Sequence, residues 1–431
     1  MGIRLKKMTY LAVVSKLNDI RKHPNADRLN IAICSNGYQV LIGLEHKEGE
    51  LGVLFTDDGQ LSFEFCVANN LMRKFDPETG KNSGGLFDNR RRIQCQKIRG
   101  EKSEAFWIPV NSLIKVGVSQ EIVSKLKEGD SFNKLDNIAI CNKYITDNTK
   151  NVQSTKHNQA KKKVKVKYDF PEHYETRQLL KEINYILDNV LVYLTYKMHG
   201  TSGRYGRVKI IYTKWYQKLL RYFNLNKEYK NLIGSRRVII NKNNNDGFYK
   251  TNDFRTHVME GKWHLIRDNE IIYGEIVGYC NSNTSIMPRV DASKLDKKFI
   301  KKYNLPKIMT YDYGCKQGEH DFYVYRITLD NKDLSWKEVK ERCKELGFKH
   351  VIECSHLCYD KSMKEFLLKL IEDLATGVDP LDNEHIKEGI VVRIESFGKD
   401  PYFLKYKSFE FKVLEGIIKD NDNYIDIEES S

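Results

Sequence analysis

No CxxC pair occurs in this chain, although it holds nine cysteines: Cys34, Cys66, Cys95, Cys141, Cys280, Cys315, Cys343, Cys354 and Cys358. Their odd count and scattered spacing exclude a disulfide framework and a zinc ribbon. Long apolar runs are missing too, which argues against a helix that spans a bilayer. The first residues, MGIRLKKMTYLAVVSKLND, lack the apolar core and small-residue cleavage site of a signal peptide. There is no internal repeat. These absences give the expectation of a soluble, intracellular protein with no membrane contact.

What is present is length and positive charge. At 431 residues and 40% hydrophobic composition, the chain can bury the cores of two or three domains. Its net charge of +14 and pI near 9.1 favour a polyanionic partner and say nothing about fold.

Residues 1–132 read as all-β. Short alternating runs (YLAVVSKL, LNIAIC, YQVLIGL, GVLFT) are separated by Asn, Gly and Asp turns, with HPNADRL as a turn feeding a strand. This pattern suits a small barrel, of which the OB-fold is one form. The polar stretch 70–100 reads as an exposed insertion facing nucleic acid. Residues 133–169 form a basic linker, within which Lys161, Lys162, Lys163, Lys165 and Lys167 serve either as a solvated tether or as a phosphate-binding arm. From Phe170 to the end the pattern turns to α+β. ETRQLLKEINYILDN, SWKEVKERCKELG and KSMKEFLLKLIEDLATG read as helices among many antiparallel strands. Cys354, His356 and Cys358, with His350 nearby, have metal-like spacing but read first as an ordinary strand.

Five short pieces, each at the edge of a predicted strand, carry the chemistry. Tyr196-Lys197-Met198-His199-Gly200 takes a lysine out of an apolar strand into a turn. A lysine amine attacks phosphorus only when neutral, and Gly200 permits a close backbone approach. Ser235-Arg236-Arg237 offers a guanidinium fork to phosphate oxygens. Glu275, in GEIVG, is a carboxylate on an apolar strand and calls for a ribose hydroxyl, a metal or a cation. Tyr323 and Tyr325, in DFYVYRI, alternate to one face, where an aromatic can stack on a base. Glu388 opens the strand EGIVVR, and further on LKYKS sets Lys405 and Lys407 on one strand face, a natural pair for a triphosphate.

In this order, KMHG, SRR, GEIVG, FYVYRI, EGIVVR and LKYKS resemble the covalent nucleotidyltransferase superfamily of polynucleotide ligases and mRNA capping enzymes, over roughly Phe170 to Ser408. His-Gly-Thr after the lysine is similar to ATP-dependent RNA ligases. HPNADRL in a basic N-terminal β domain resembles the branch with an OB domain in front, the Deinococcus and Naegleria type. Only 24 residues follow Lys407, too short for the C-terminal OB domain of capping enzymes.

The resemblance implies an N-terminal OB-fold barrel (1–132) followed by an adenylyltransferase domain (170–431) of antiparallel, ATP-grasp-like sheets with helices. It also implies that Lys197 forms a lysyl-AMP, that Glu275 holds the ribose or a metal, and that Glu388 supports a metal. Tyr325 stacks on adenine, with Tyr323 in reserve. Arg236, Lys405 and Lys407 bind phosphates, and Tyr196, His199 and Gly200 complete the nucleotide site. ATP with magnesium or manganese would be used to seal 3′-OH and 5′-phosphate RNA ends, in a nicked duplex, by a monomer. Two departures stand out: His199 replaces the more common aspartate, and Arg326 follows the stacking aromatic where many relatives have aspartate. The rival readings are a capping guanylyltransferase, a DNA ligase and a non-catalytic RNA-binding protein with a ligase fold.

Overall fold

A computed structural model describes residues 10–76, 81–146, 149, 166–173, 176–212, 215–222, 228–240, 253–396 and 400–419. The linker lysines 161–163 and 165 lie outside them. Among the described residues, no helix is long and apolar enough to cross a membrane. The chain divides into two compact units. The first comprises residues 1–146 with 180–185 and 415–420; the second comprises the rest.

The main sheet of the first unit is built from β1 (Ala12–Lys22), β2 (Asn30–Cys34), β3 (Gln39–Ile42), β4 (Leu51–Thr56), β5 (Ala105–Pro109) and β6 (Ser131–Phe132). They pair in the order β5-β4-β1-β2-β3, with β6 also on β1. The Glu104 N–H donates to the Gln39 carbonyl across the two outer strands, so the sheet nearly closes into a barrel. Alternating apolar residues fill its interior: Ala12, Val14, Val53 and Phe55, backed by Phe65 and Leu113. HPNADRL forms its turn through the His23 N–H, which donates to the Leu29 carbonyl. The stretch 70–100 is not the wholly exposed insertion expected. Phe87, Arg92, Ile93 and Cys95 are buried, because apolar residues between its charges join or flank the barrel core.

In the second unit two sheets share the work. One runs β11 (Ile239–Ile240), β10 (Tyr229–Gly234), β9 (Thr201–Tyr212), β12 (Glu270–Asn281), β13 (His320–Leu329) and β14 (Lys332–Asp333). The other runs β7 (Arg177–Gln178), β17 (Tyr402–Lys407), β16 (Gly389–Glu395), β8 (Val190–Lys197) and β15 (Glu353–Tyr359). Helices α1 (Trp336–Leu346), α2 (Lys364–Ala375) and α3 (Phe409–Lys419) complete the elements used below. Helix α1 starts at a capping box in which Ser335 and Glu338 satisfy each other's backbone N–H groups. The long helix expected over ETRQLLKEINYILDN does not form. Arg177 and Gln178 pair in parallel with Leu404 and Lys405, so strand pairing takes the segment's first residues and leaves only short helical turns at 179–185.

Candidate nucleotide-binding site

Strand register builds one wall. Lys197 on β8 stands opposite Gly389 on β16, which stands opposite Lys407 on β17. The next row in the pleat is Thr195, Val391 and Lys405, and the one after is Tyr193, Arg393 and Phe403. Residues two apart share a face of a strand, so these rows form one surface. Thr195, Lys197, Val391, Arg393, Phe403 and Lys405 from it line an open cleft.

The opposite wall comes from the other sheet. Ser202 on β9 faces Glu275 on β12, and its Oγ donates to Glu275 Oε2 at 3.4 Å. Both line the cleft, together with Tyr325 and Arg236. Arg236 is carried by a turn between β10 and β11, closed by the Ser235 N–H donating to the Val238 carbonyl. Tyr325 sits at a bulge: Arg326 pairs with Tyr273 and Val324 with Gly274, so Tyr325 has no register partner. Bulges re-aim side chains, and here the extra residue reaches the cleft. Tyr323 lies directly opposite Glu275 but is not among the lining residues; Lys349 Nζ sits 5.6 Å from its ring centre. Of the two tyrosines expected on one face, Tyr325 lines the cleft and Tyr323 does not.

The Lys197–Thr201 turn joins the two sheets. Lys197 Nζ lies 2.8 Å from Glu388 Oε1, and Lys407 Nζ lies 3.7 Å from the same oxygen. The Glu388 side chain is only 3% exposed, against 21% for Lys197. Burial by itself would push the Glu388 carboxyl up. Lys197, His199 and Lys407 outweigh it and hold the group well below the usual carboxylate range. His199 Nδ1 stands 3.6 Å from Glu388 Oε2, which makes no hydrogen bond. The His199 ring does not line the cleft; it packs edge-on against Tyr311 and Phe411. Tyr196 does line it and carries Lys387 Nζ 4.8 Å from its ring centre.

Gly200 owes its lack of a side chain to the protein itself. A Cβ there would meet the Ile276 carbonyl oxygen at 2.3 Å, so the close approach is to β12. Arg326, where an aspartate was the commoner expectation, is held by a buried ion pair in which its Nη2 donates to Asp333 Oδ2 at 2.9 Å. Among the described residues, no three His, Cys, Asp or Glu side chains gather as a metal cluster, Cys354, His356 and Cys358 included: Cys354 Sγ donates to the Leu194 carbonyl and His356 faces Glu353.

Sequence reasoning missed His173, Ser202, Trp336, Arg393 and Phe403, all of which line the cleft. Of these, Arg393 had a signal as the last residue of EGIVVR, and Ser202 as the residue after the His-Gly-Thr that follows Lys197. His173 lies 5.0 Å from the Tyr325 ring, a pairing made by tertiary packing alone.

The family model described as RNA ligase matches residues 190–407, just over half of the chain. The chain belongs to the RNA ligase family. The matched segment holds Lys197 and most of the residues that line the cleft, and the enzymes of this family form phosphodiester bonds. Comparison of the ligase with curated proteins finds no match. Its fold is similar to Naegleria gruberi RNA ligase. A mutant form of that protein solved with ATP and manganese superposes with a TM-score of 0.55 at 15% identity, covering 94% of this ligase and 97% of that chain. An apo mutant form gives 0.56 at 16%, covering 96% and 98%. The form with pyrophosphate gives 0.54 at 16%, covering 96% and 99%.

Proposed function

We propose that this RNA ligase uses ATP to seal a 3′-OH to a 5′-phosphate RNA end through a lysyl-AMP on Lys197. The observation that carries the reading is Lys197 at the cleft wall, one row from Lys405 and sharing a buried carboxylate with Lys407. In the first step neutral Lys197 Nζ attacks the α-phosphorus, an N–P bond forms, the bond to pyrophosphate breaks and the amine loses its proton. An RNA 5′-phosphate oxygen then attacks the same phosphorus, the N–P bond breaks and Lys197 regains a proton. Last, the 3′-OH oxygen attacks the activated 5′-phosphate, AMP leaves and the hydroxyl proton goes to solvent. All three are phosphoryl transfers, in which positioning and charge neutralisation dominate.

In this reading Tyr325 stacks on adenine and Glu275 faces the ribose. Arg236, Lys405 and Lys407 hold phosphates, Tyr196 lines the pocket, and His199 and Gly200 lie in the turn beside it. Tyr323 stays outside it. A magnesium or manganese ion takes one or two carboxylates plus phosphate oxygens and water. Glu275, facing the cleft, and Glu388, with one oxygen buried and unbonded, fit that role. When bound, such an ion neutralises triphosphate charge.

Residues 1–132 would be the RNA-gripping OB domain, 133–169 the linker and 170–431 the catalytic domain, in a monomer acting on nicked duplex. The net charge of +14 supports phosphate contact, so RNA affinity should fall steeply with salt. Nine cysteines without a disulfide fit an intracellular, reducing compartment. The test is denaturing electrophoresis after incubation with α-labelled ATP and magnesium. Wild type should carry the label and Lys197→Ala should not. A labelled alanine variant, or GTP labelling in place of ATP, would overturn the reading.

A further inference from the structure

Behind the Lys197–Thr201 turn lies a buried group of side chains that does not line the cleft. Tyr313 is 4% exposed and sits in the left-handed region at φ +56°. A bulky residue in that region is strained and persists only where its surroundings enforce it. Here the surroundings are specific. Asp312 pins the turn: its Oδ2 accepts from the Tyr279 hydroxyl at 3.0 Å and its Oδ1 from the Gly314 N–H at 3.2 Å. The Tyr313 hydroxyl, so aimed, accepts the backbone N–H of His199.

A brace stands behind Tyr313. The fully buried His385 ring lies 4.5 Å from Tyr313 and 4.6 Å from Tyr311, centre to centre. Its Nε2 is 3.1 Å from Asp382 Oδ2 and its Nδ1 is 3.0 Å from the Ile386 carbonyl. Tyr311 in turn meets the His199 ring edge-on at 4.7 Å. Contacts thus run from Asp382 through His385 and the two tyrosines to His199. From there they pass by way of Glu388 to Lys197.

We infer that Tyr313, braced by His385 and Asp382, is a positioning residue for Lys197. It fixes the main chain two residues beyond the nucleophile, at the turn that joins the two sheets. Movement of that turn would swing Nζ relative to the cleft, and a displacement of about 1 Å costs on the order of a hundredfold in rate. The inference rests on the lysyl-AMP reading and concerns the step in which Lys197 attacks. The last step, sealing of an RNA whose 5′ end already carries AMP, does not use the lysine.

Tyr313→Phe keeps the ring and removes only the acceptor. In the full chain, self-adenylylation should slow roughly tenfold to a hundredfold at saturating ATP, with KM for ATP within about twofold of wild type. Sealing of pre-adenylylated RNA should stay within about threefold. Asp382→Asn, which loosens the brace without touching Tyr313, should show the same split at smaller size and carries the test should the phenylalanine variant not fold. Equal losses in all steps, or no loss in adenylylation, would overturn the inference. Failure of wild type to take up AMP would instead overturn the functional reading, so the two failures are distinct.

Discussion

Lys197 Nζ and Glu388 Oε1 lie 2.8 Å apart, in an ion pair whose carboxylate is almost wholly buried. Lys407 competes for the same oxygen from 3.7 Å. Glu388→Gln removes the buried carboxylate that both lysines share. Breaking a buried pair costs about 3–5 kcal/mol, and the partial exposure of the lysines places this case near 3 kcal/mol. Urea unfolding should show that loss, and AMP labelling should fall by about two orders of magnitude. Full labelling would remove Glu388 from the site.

Tyr325 and Tyr323 should separate cleanly in ATP kinetics. An aromatic that stacks on a base contributes about 1–3 kcal/mol. Tyr325→Ala should therefore raise KM for ATP about tenfold or more, while Tyr325→Phe keeps most of the affinity. Tyr323→Phe should leave KM unchanged, since that ring is outside the cleft. The opposite pattern would show that the bulge does not select the stacking residue.

Gly200→Ala tests whether the motif glycine serves the protein's own packing. The added carbon would meet backbone, the Ile276 carbonyl oxygen at 2.3 Å, which cannot rotate away. Overpacking of this kind costs about 1–3 kcal/mol. A urea midpoint equal to that of wild type would contradict the close approach.

Acid–base behaviour should expose the His385–Asp382 pair. Burial pulls His385 down, but Asp382 outweighs it, and its pKa ends above the usual 6.5. A raised folded pKa gives stability that is complete below 6.5 and lost as pH rises through the folded value. Burial likewise raises Asp382, yet His385 and backbone bonds bring it below 3.8, so its contribution is complete above 3.8 and lost in stronger acid. The stability gap between wild type and His385→Gln should thus be widest between pH 3.8 and 6.5 and narrow as pH rises through the folded His385 value. A gap independent of pH would mean the pair stays uncharged.

The sequence by itself determined which candidate residues lie along the strands. Lys197, Arg236, Glu275 and Lys405, which line the cleft, were legible because each sits beside a strand whose apolar periodicity is strong. The near-closed barrel was legible for the same reason, from short alternating runs between turns. Tertiary structure decided which of two tyrosines meets the cleft, because a bulge depends on the partner strand. It also turned a helical periodicity at 177–185 into strand pairing and short turns, since β17 captured the first residues. It alone supplied His173, Trp336 and Phe403 to the cleft walls, and Tyr313, Asp382 and His385 to the support behind Lys197. Local patterns record which face of an element is buried, whereas contacts between residues far apart in sequence leave no period to read.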